Sequence, residues 1–181
     1  MSDQADGGST ADRVAGARLV PEQAESLLDI GFAAGQLYQV RQTVVAHAQS
    51  GGAGPTTVEA VLLIASELAV NAIRHGGGRG RLRLWRTNDA VYCQVEDAGP
   101  GIAEPESAGA DPSVAADSAE TGQAGRRGLW IVRMVADDVD IETGPAGTTV
   151  TTRVRLRGPG DRNHGRGGLR TSVFDDSRAR A

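Results

Sequence analysis

The stretch from Thr56 to His75 does most to limit what this chain can become. Placed at about 100° per residue, it forms one helix that is apolar around most of its circumference. Val61, Ala65, Leu68 and Ala72 share one side, with Leu62, Ala69 and Ile73 beside them and Val70 and Leu63 beyond. Only one strip, carrying Glu67, Asn71, Arg74 and His75, is polar. Burying an acid and an amide is costly unless they are paired. Taken alone, the strip is either a narrow wet face or a face that something else must meet. Thr56 with Glu59 fits a capping box at the helix start, and Gly76, Gly77 and Gly78 end it.

Three further pieces carry unusual chemistry. In the predicted strand Ala90–Asp97, residues Val91, Cys93 and Val95 share one face, and Asp97 has the parity of that apolar face. An inward carboxylate at a strand end is followed by Ala98-Gly99-Pro100-Gly101, whose glycines let backbone approach a ligand. In isolation an ordinary Asp-x-Gly turn explains it equally well. Next, Gly125-Arg126-Arg127-Gly128-Leu129-Trp130 leads into a helix predicted over Arg127–Asp137. Backbone N–H groups at a helix start suit phosphate oxygens, and the two arginines add positive charge. Last, Gly147-Thr148-Thr149 opens a strand whose inner face is Val150, Thr152, Val154 and Leu156. Thr148 has their parity, whereas Thr149 does not.

Taken together, these pieces resemble the four boxes of the GHKL ATPase superfamily. They are Glu67-Leu-Ala-Val-Asn71-Ala-Ile-Arg-His75, Asp97-Ala-Gly99-Pro-Gly101, Gly125-Arg-Arg-Gly128-Leu129 and Gly147-Thr148-Thr149. The short form, with Ser-Glu-Leu-x-x-Asn-Ala-x-x-His and Gly-Arg-x-Gly-Leu-Trp, is similar to bacterial anti-sigma regulatory factors of the serine/threonine kinase type. The likeness spans about Gln36 to Leu156. It implies an α+β fold, the two-layer α/β sandwich called the Bergerat fold, with a mixed sheet backing the helices. It also implies ATP and Mg²⁺ as cofactors. On this resemblance Asn71 is the Mg²⁺ ligand and Asp97 accepts the adenine amino group, helped by Thr148. Gly99, Gly101 and Ile102 make room for the base. Gly125 and Gly128 let a lid close over the phosphates, Arg127 and Leu129 count with the nucleotide-binding residues, Arg74 lies near phosphate, and Glu67 is the general base. The implied partners are a sigma factor and a STAS-type anti-sigma antagonist, and a homodimer is admitted. Two alternatives stay open: a nucleotide-gated protein-binding module without kinase activity, or a detached histidine-kinase-like catalytic domain.

Composition narrows the field from the other side. The formal net charge of −4 gives no electrostatic case for direct nucleic-acid binding. All 19 basic residues are arginine, so a Schiff-base lysine and a P-loop lysine are both excluded. Cys93 is alone, which rules out an intrachain disulfide. No signal-peptide pattern and no uninterrupted apolar run of membrane-spanning length is evident, so the expectation is a cytoplasmic protein with no membrane partner. Residues 1–18 and 158–181 are small, polar and glycine-rich, and disorder is expected there. One ATP-binding domain is expected over 19–157, with residues 102–124 as an aperiodic lid. Further elements are expected at Ser26–Ala33 (strand), Ala34–Gln49 (helix), Arg81–Arg86, Val139–Thr143 and Thr148–Leu156 (strands). His75 is expected to pack at its helix end.

Overall fold

Alternating apolar and polar residues at period two generate the strands, and the apolar parity of each selects the face that meets the helices. The computed structural model describes residues 19–103, 120–156 and 168–173. Among them, in chain order, run β1 (Glu25–Ala33), α1 (Leu37–Ser50), α2 (Pro55–His75), β2 (Arg79–Arg86), β3 (Ala90–Asp97), α3 (Glu120–Val135), β4 (Asp138–Gly144), β5 (Gly147–Arg155) and β6 (Gly168–Val173). The strands form one six-stranded sheet in the order β1-β2-β3-β5-β4-β6. Every neighbouring pair is antiparallel except β4 with β6, so the sheet is mixed.

All three helices lie on one face, giving the expected two-layer α+β sandwich. α2 is the central helix, packed on β2, β3 and β5 and flanked by α1 and α3. Its Val61, Ile64, Ala65, Leu68, Ala69 and Ala72 are buried against Leu82, Leu84, Val91, Cys93, Val95, Ile141 and Val150 of the sheet. By length and composition alone α2 is long and apolar enough to cross a membrane, its 21 residues containing an 18-residue window of mean hydropathy 1.5, a test that the core helix of a globular domain also passes. Here its apolar face lies in the core. Cys93 is fully buried at the middle of the sheet, and desolvation pushes its thiol up to about 12.

Four boundaries differ from expectation, each for a physical reason. Gly54 rather than Thr56 caps α2, with Pro55 in the first turn and no side-chain cap. Proline suits that position because its missing N–H is an orphan there anyway. Thr57 instead turns inward, 3 % exposed, with its hydroxyl 3.4 Å from the Arg155 carbonyl. α1 starts at Leu37, since Gly35 adopts φ +91° and keeps residues 34–36 out of the helix. α3 begins at Glu120, seven residues ahead of Arg127. Part of the tail expected to be disordered is a strand: β6 runs parallel to β4, pairing Val139 with Leu169 and Ile141 with Thr171. The expected lid lies outside the described residues over 104–119.

Candidate functional site

The register brings three polar residues into one row at the end of the sheet beside the α2 C-terminus. Asp97 closes β3 opposite Thr148 of β5, and Thr148 faces Thr143 of β4. All three have the parity of the helix-covered face. Thr143 and Thr148 are 1 % and 8 % exposed, and their hydroxyl oxygens lie 3.1 Å apart. The Ile102 N–H donates to Thr143 Oγ1 at 2.8 Å, which ties the segment after Gly101 to the sheet.

Backbone crowds Asp97 from two sides. Gly147 holds φ +143°, and a Cβ there would stand 2.0 Å from the Asp97 carbonyl oxygen. A Cβ on Gly76, at the end of α2, would come within 2.4 Å of Asp97 Cγ. Only hydrogen fits at either place. The Gly99 N–H donates to Asp97 Oδ1 at 3.0 Å, and Gly99 itself sits against Gly76 and the His75 carbonyl. Burial raises the carboxyl above its ordinary pKa, while the Gly99 and Thr148 backbone N–H groups oppose the rise. The result is an acceptor with fixed orientation, partly desolvated.

The other end of the site is built where α3 crosses α2. Glu67 and Asn71, half-buried one turn apart, face Gly128 of α3. A Cβ on Gly128 would lie 2.9 Å from Glu67 Oε2 and 3.2 Å from Asn71 Nδ2. The polar strip of α2 is therefore divided: α3 covers Glu67 and Asn71, and Arg74 and His75 stay exposed. Asn71 Nδ2 is buried without a hydrogen-bond partner. Because α3 starts at Glu120, Gly125 and Gly128 lie inside the helix rather than at its N-terminus. Their N–H groups face carbonyls one turn back, which corrects the expectation of a phosphate-binding helix start there. Leu129 is buried in the core, whereas Arg127 and Arg74 are exposed. His75 is exposed too, against the expectation that it packs. Ile102 packs partly buried against the core, and Gly101 turns at φ +81°.

An inward carboxylate at one end of α2, an acid and an amide along it, and glycine-bearing segments against both define an arrangement shared by a known group of proteins. Residues 32–154 match the histidine kinase-like ATPase domain family. The chain belongs to that family. No curated protein matches it.

As a histidine kinase-like ATPase domain, the chain carries a GHKL-type ATP-binding fold. Its residues fit the nucleotide at the Asp97 end, where a fixed acceptor and a hydroxyl pair stand side by side. At the Asn71 end, which Gly128 covers in this conformation, the side-chain chemistry would suit a phosphate and its metal. The unpartnered Asn71 Nδ2 costs about 1–3 kcal/mol, which a phosphate oxygen accepting from it would offset. Asn71 is the residue that would hold Mg²⁺ through its amide oxygen. Thr143 and Gly76 border the same residues, although sequence reasoning assigned them no part there; Gly147 was read only as a member of its box. The parity that singled out Asp97 and Thr148 also marks Thr143, a polar residue in line with Val139 and Ile141.

Proposed function

We propose that this chain is an ATP-dependent regulator of the anti-sigma type. It transfers the γ-phosphoryl group of ATP to a serine or threonine of a STAS-domain antagonist and also engages a sigma factor. The observation that carries the reading is the placement of Glu67 and Asn71 one turn apart on the polar strip of α2, up the helix from Asp97. Asp97 binds and orients the purine, and Asn71 would hold Mg²⁺ at the phosphate end. Bound Mg²⁺ would neutralise charge on the phosphate oxygens. Glu67 holds a carboxylate beside the metal site and accepts the proton of the attacking hydroxyl. The test is incubation with labelled ATP and a STAS-domain protein. Acid-stable label on the STAS protein that disappears in Glu67→Ala, with ATP affinity retained, is the expected result. Acid-labile label would instead indicate phosphohistidine and a detached histidine-kinase-like activity.

A second reading is favoured by the packing of Gly128 on Glu67 and Asn71, which closes the phosphate end in this conformation. On that reading nucleotide moves α3 and so exposes or hides a protein-binding surface without phosphoryl transfer. Nucleotide-dependent partner binding that is indifferent to Glu67→Ala would select it.

A further inference from the structure

Thr143 occupies a place that neither the resemblance nor the family match assigns. It is 1 % exposed, and its hydroxyl touches two groups with different demands. The Ile102 N–H, 2.8 Å away, can only donate, so Thr143 Oγ1 accepts there. The second contact, Thr148 Oγ1 at 3.1 Å, can run in either direction. If Thr148 donated, Thr143 would accept twice and its own proton would stay buried without a partner, at a cost of about 1–3 kcal/mol. If Thr143 donates, both of its contacts are satisfied, and the proton left over belongs to Thr148, which is 8 % exposed against 1 % for Thr143 and stands beside the Asp97 carboxylate. The second direction wins. Thr148 is then an acceptor toward Thr143, and its own proton is left for the site.

From this we infer that Thr143 is a positioning residue that fixes the Thr148 hydroxyl as a donor beside the Asp97 acceptor, and thereby selects adenine over guanine. Thr148 and Asp97 are direct cross-strand partners, so the donor and the acceptor stand side by side. Adenine presents an amino donor next to a ring-nitrogen acceptor and complements that pair. Guanine presents a carbonyl acceptor next to an N–H donor and opposes it at both positions. A hydroxyl free to rotate would weaken this contrast, because it could turn to accept from the guanine N–H. The inference rests on the nucleotide reading above and adds to it the origin of base selectivity.

The experiment is calorimetric titration of ADP and GDP into the full-length wild-type protein, Thr143→Val, Thr143→Ser, Thr148→Val and the double variant Thr143→Val/Thr148→Val. Valine keeps the branched shape that the strand requires and removes the hydroxyl. The expected result is roughly a tenfold loss of ADP affinity in Thr143→Val, equivalent to one hydrogen bond. The ADP-to-GDP ratio should narrow with it, and Thr143→Ser should restore both. The double variant should bind ADP no worse than Thr148→Val, because Thr143 acts through Thr148. An unchanged ADP-to-GDP ratio in Thr143→Val, a ratio in Thr143→Ser as narrow as in Thr143→Val, or additive losses in the double variant, would overturn the inference while leaving the nucleotide reading intact. Failure of the wild-type protein to bind either nucleotide would sink the nucleotide reading, and this inference with it. A fall in melting temperature with an unchanged ratio would mark Thr143 as structural only.

Discussion

The two ends of the site are crowded to a similar degree but by different kinds of atom. At the Asp97 end, Gly147 is pressed by backbone, the Asp97 carbonyl oxygen lying 2.0 Å from where a Cβ would stand. At the Glu67 end, Gly128 meets only side-chain atoms, Glu67 Oε2 at 2.9 Å and the Asn71 amide at 3.2 Å. Backbone held in a sheet cannot retreat, whereas the tip of a glutamate can rotate away. The Asp97 end, proposed for the purine, is therefore a rigid mould, and the Glu67 end, proposed for the phosphates, is a contact that can be remade. That difference suits a site in which the base is held in place while the surroundings of the phosphates rearrange.

A methyl group placed at each end is the most direct challenge to this contrast. Gly147→Ala adds a Cβ against immovable backbone at a φ that alanine rarely adopts, and should cost about 3 kcal/mol in denaturant unfolding. A loss under 1 kcal/mol would mean that the mould yields. Next in size, Asp97→Asn should weaken adenine-nucleotide binding by about 2 kcal/mol, tenfold or more in Kd, through loss of a charged acceptor. Calorimetry showing unchanged affinity would detach the purine from this carboxylate. Gly128→Ala should leave stability within about 1 kcal/mol of wild type, because the gain in helix propensity offsets displacement of Glu67. A large destabilisation there would erase the contrast.

The smallest effect concerns pH. Burial raises the Asp97 pKa in the folded protein above the ordinary carboxyl value of 3.8. An acid with a raised folded pKa is better accommodated protonated, so its cost to stability is absent below 3.8 and fully present above the raised value. Asp97→Asn should thus melt no lower than wild type at pH 7, with any advantage fading as pH falls through that interval. Nucleotide affinity should move the opposite way in the wild-type protein, falling as Asp97 is protonated, and the fall should be missing in Asp97→Asn. Melting curves and titrations across pH 4 to 7 would check both, and an acid-induced loss of affinity that persists in the variant would assign it to another group.

Much of the sandwich was legible in the residues themselves. Strand parity placed β2 to β5 within a residue or two at each end, and helical periodicity identified α2 as the most apolar helix. What escaped notice depends on contacts far along the chain. Residues 120–126, with glycines at Gly122 and Gly125, have poor intrinsic helix propensity, yet they belong to α3. β6 follows a glycine- and arginine-rich stretch and reads as part of that tail; only its pairing with β4 makes it a strand. Within the site, Asp97 and Thr148 could be found because polar residues on an apolar parity are conspicuous. Thr143 carries the same signal but lacks a memorable motif around it, and the role of Gly76 emerges only when α2 and β3 are brought together.

Cys93 sits at the centre of this assembly with its thiol held almost wholly protonated at neutral pH. Reagents that attack thiolates will therefore ignore the native protein and modify each molecule only when its sheet opens. The chain thus carries a single chemical clock for global unfolding, and the rate at which nucleotide slows that clock would measure, without any added label, how strongly ligand binding is coupled to the core.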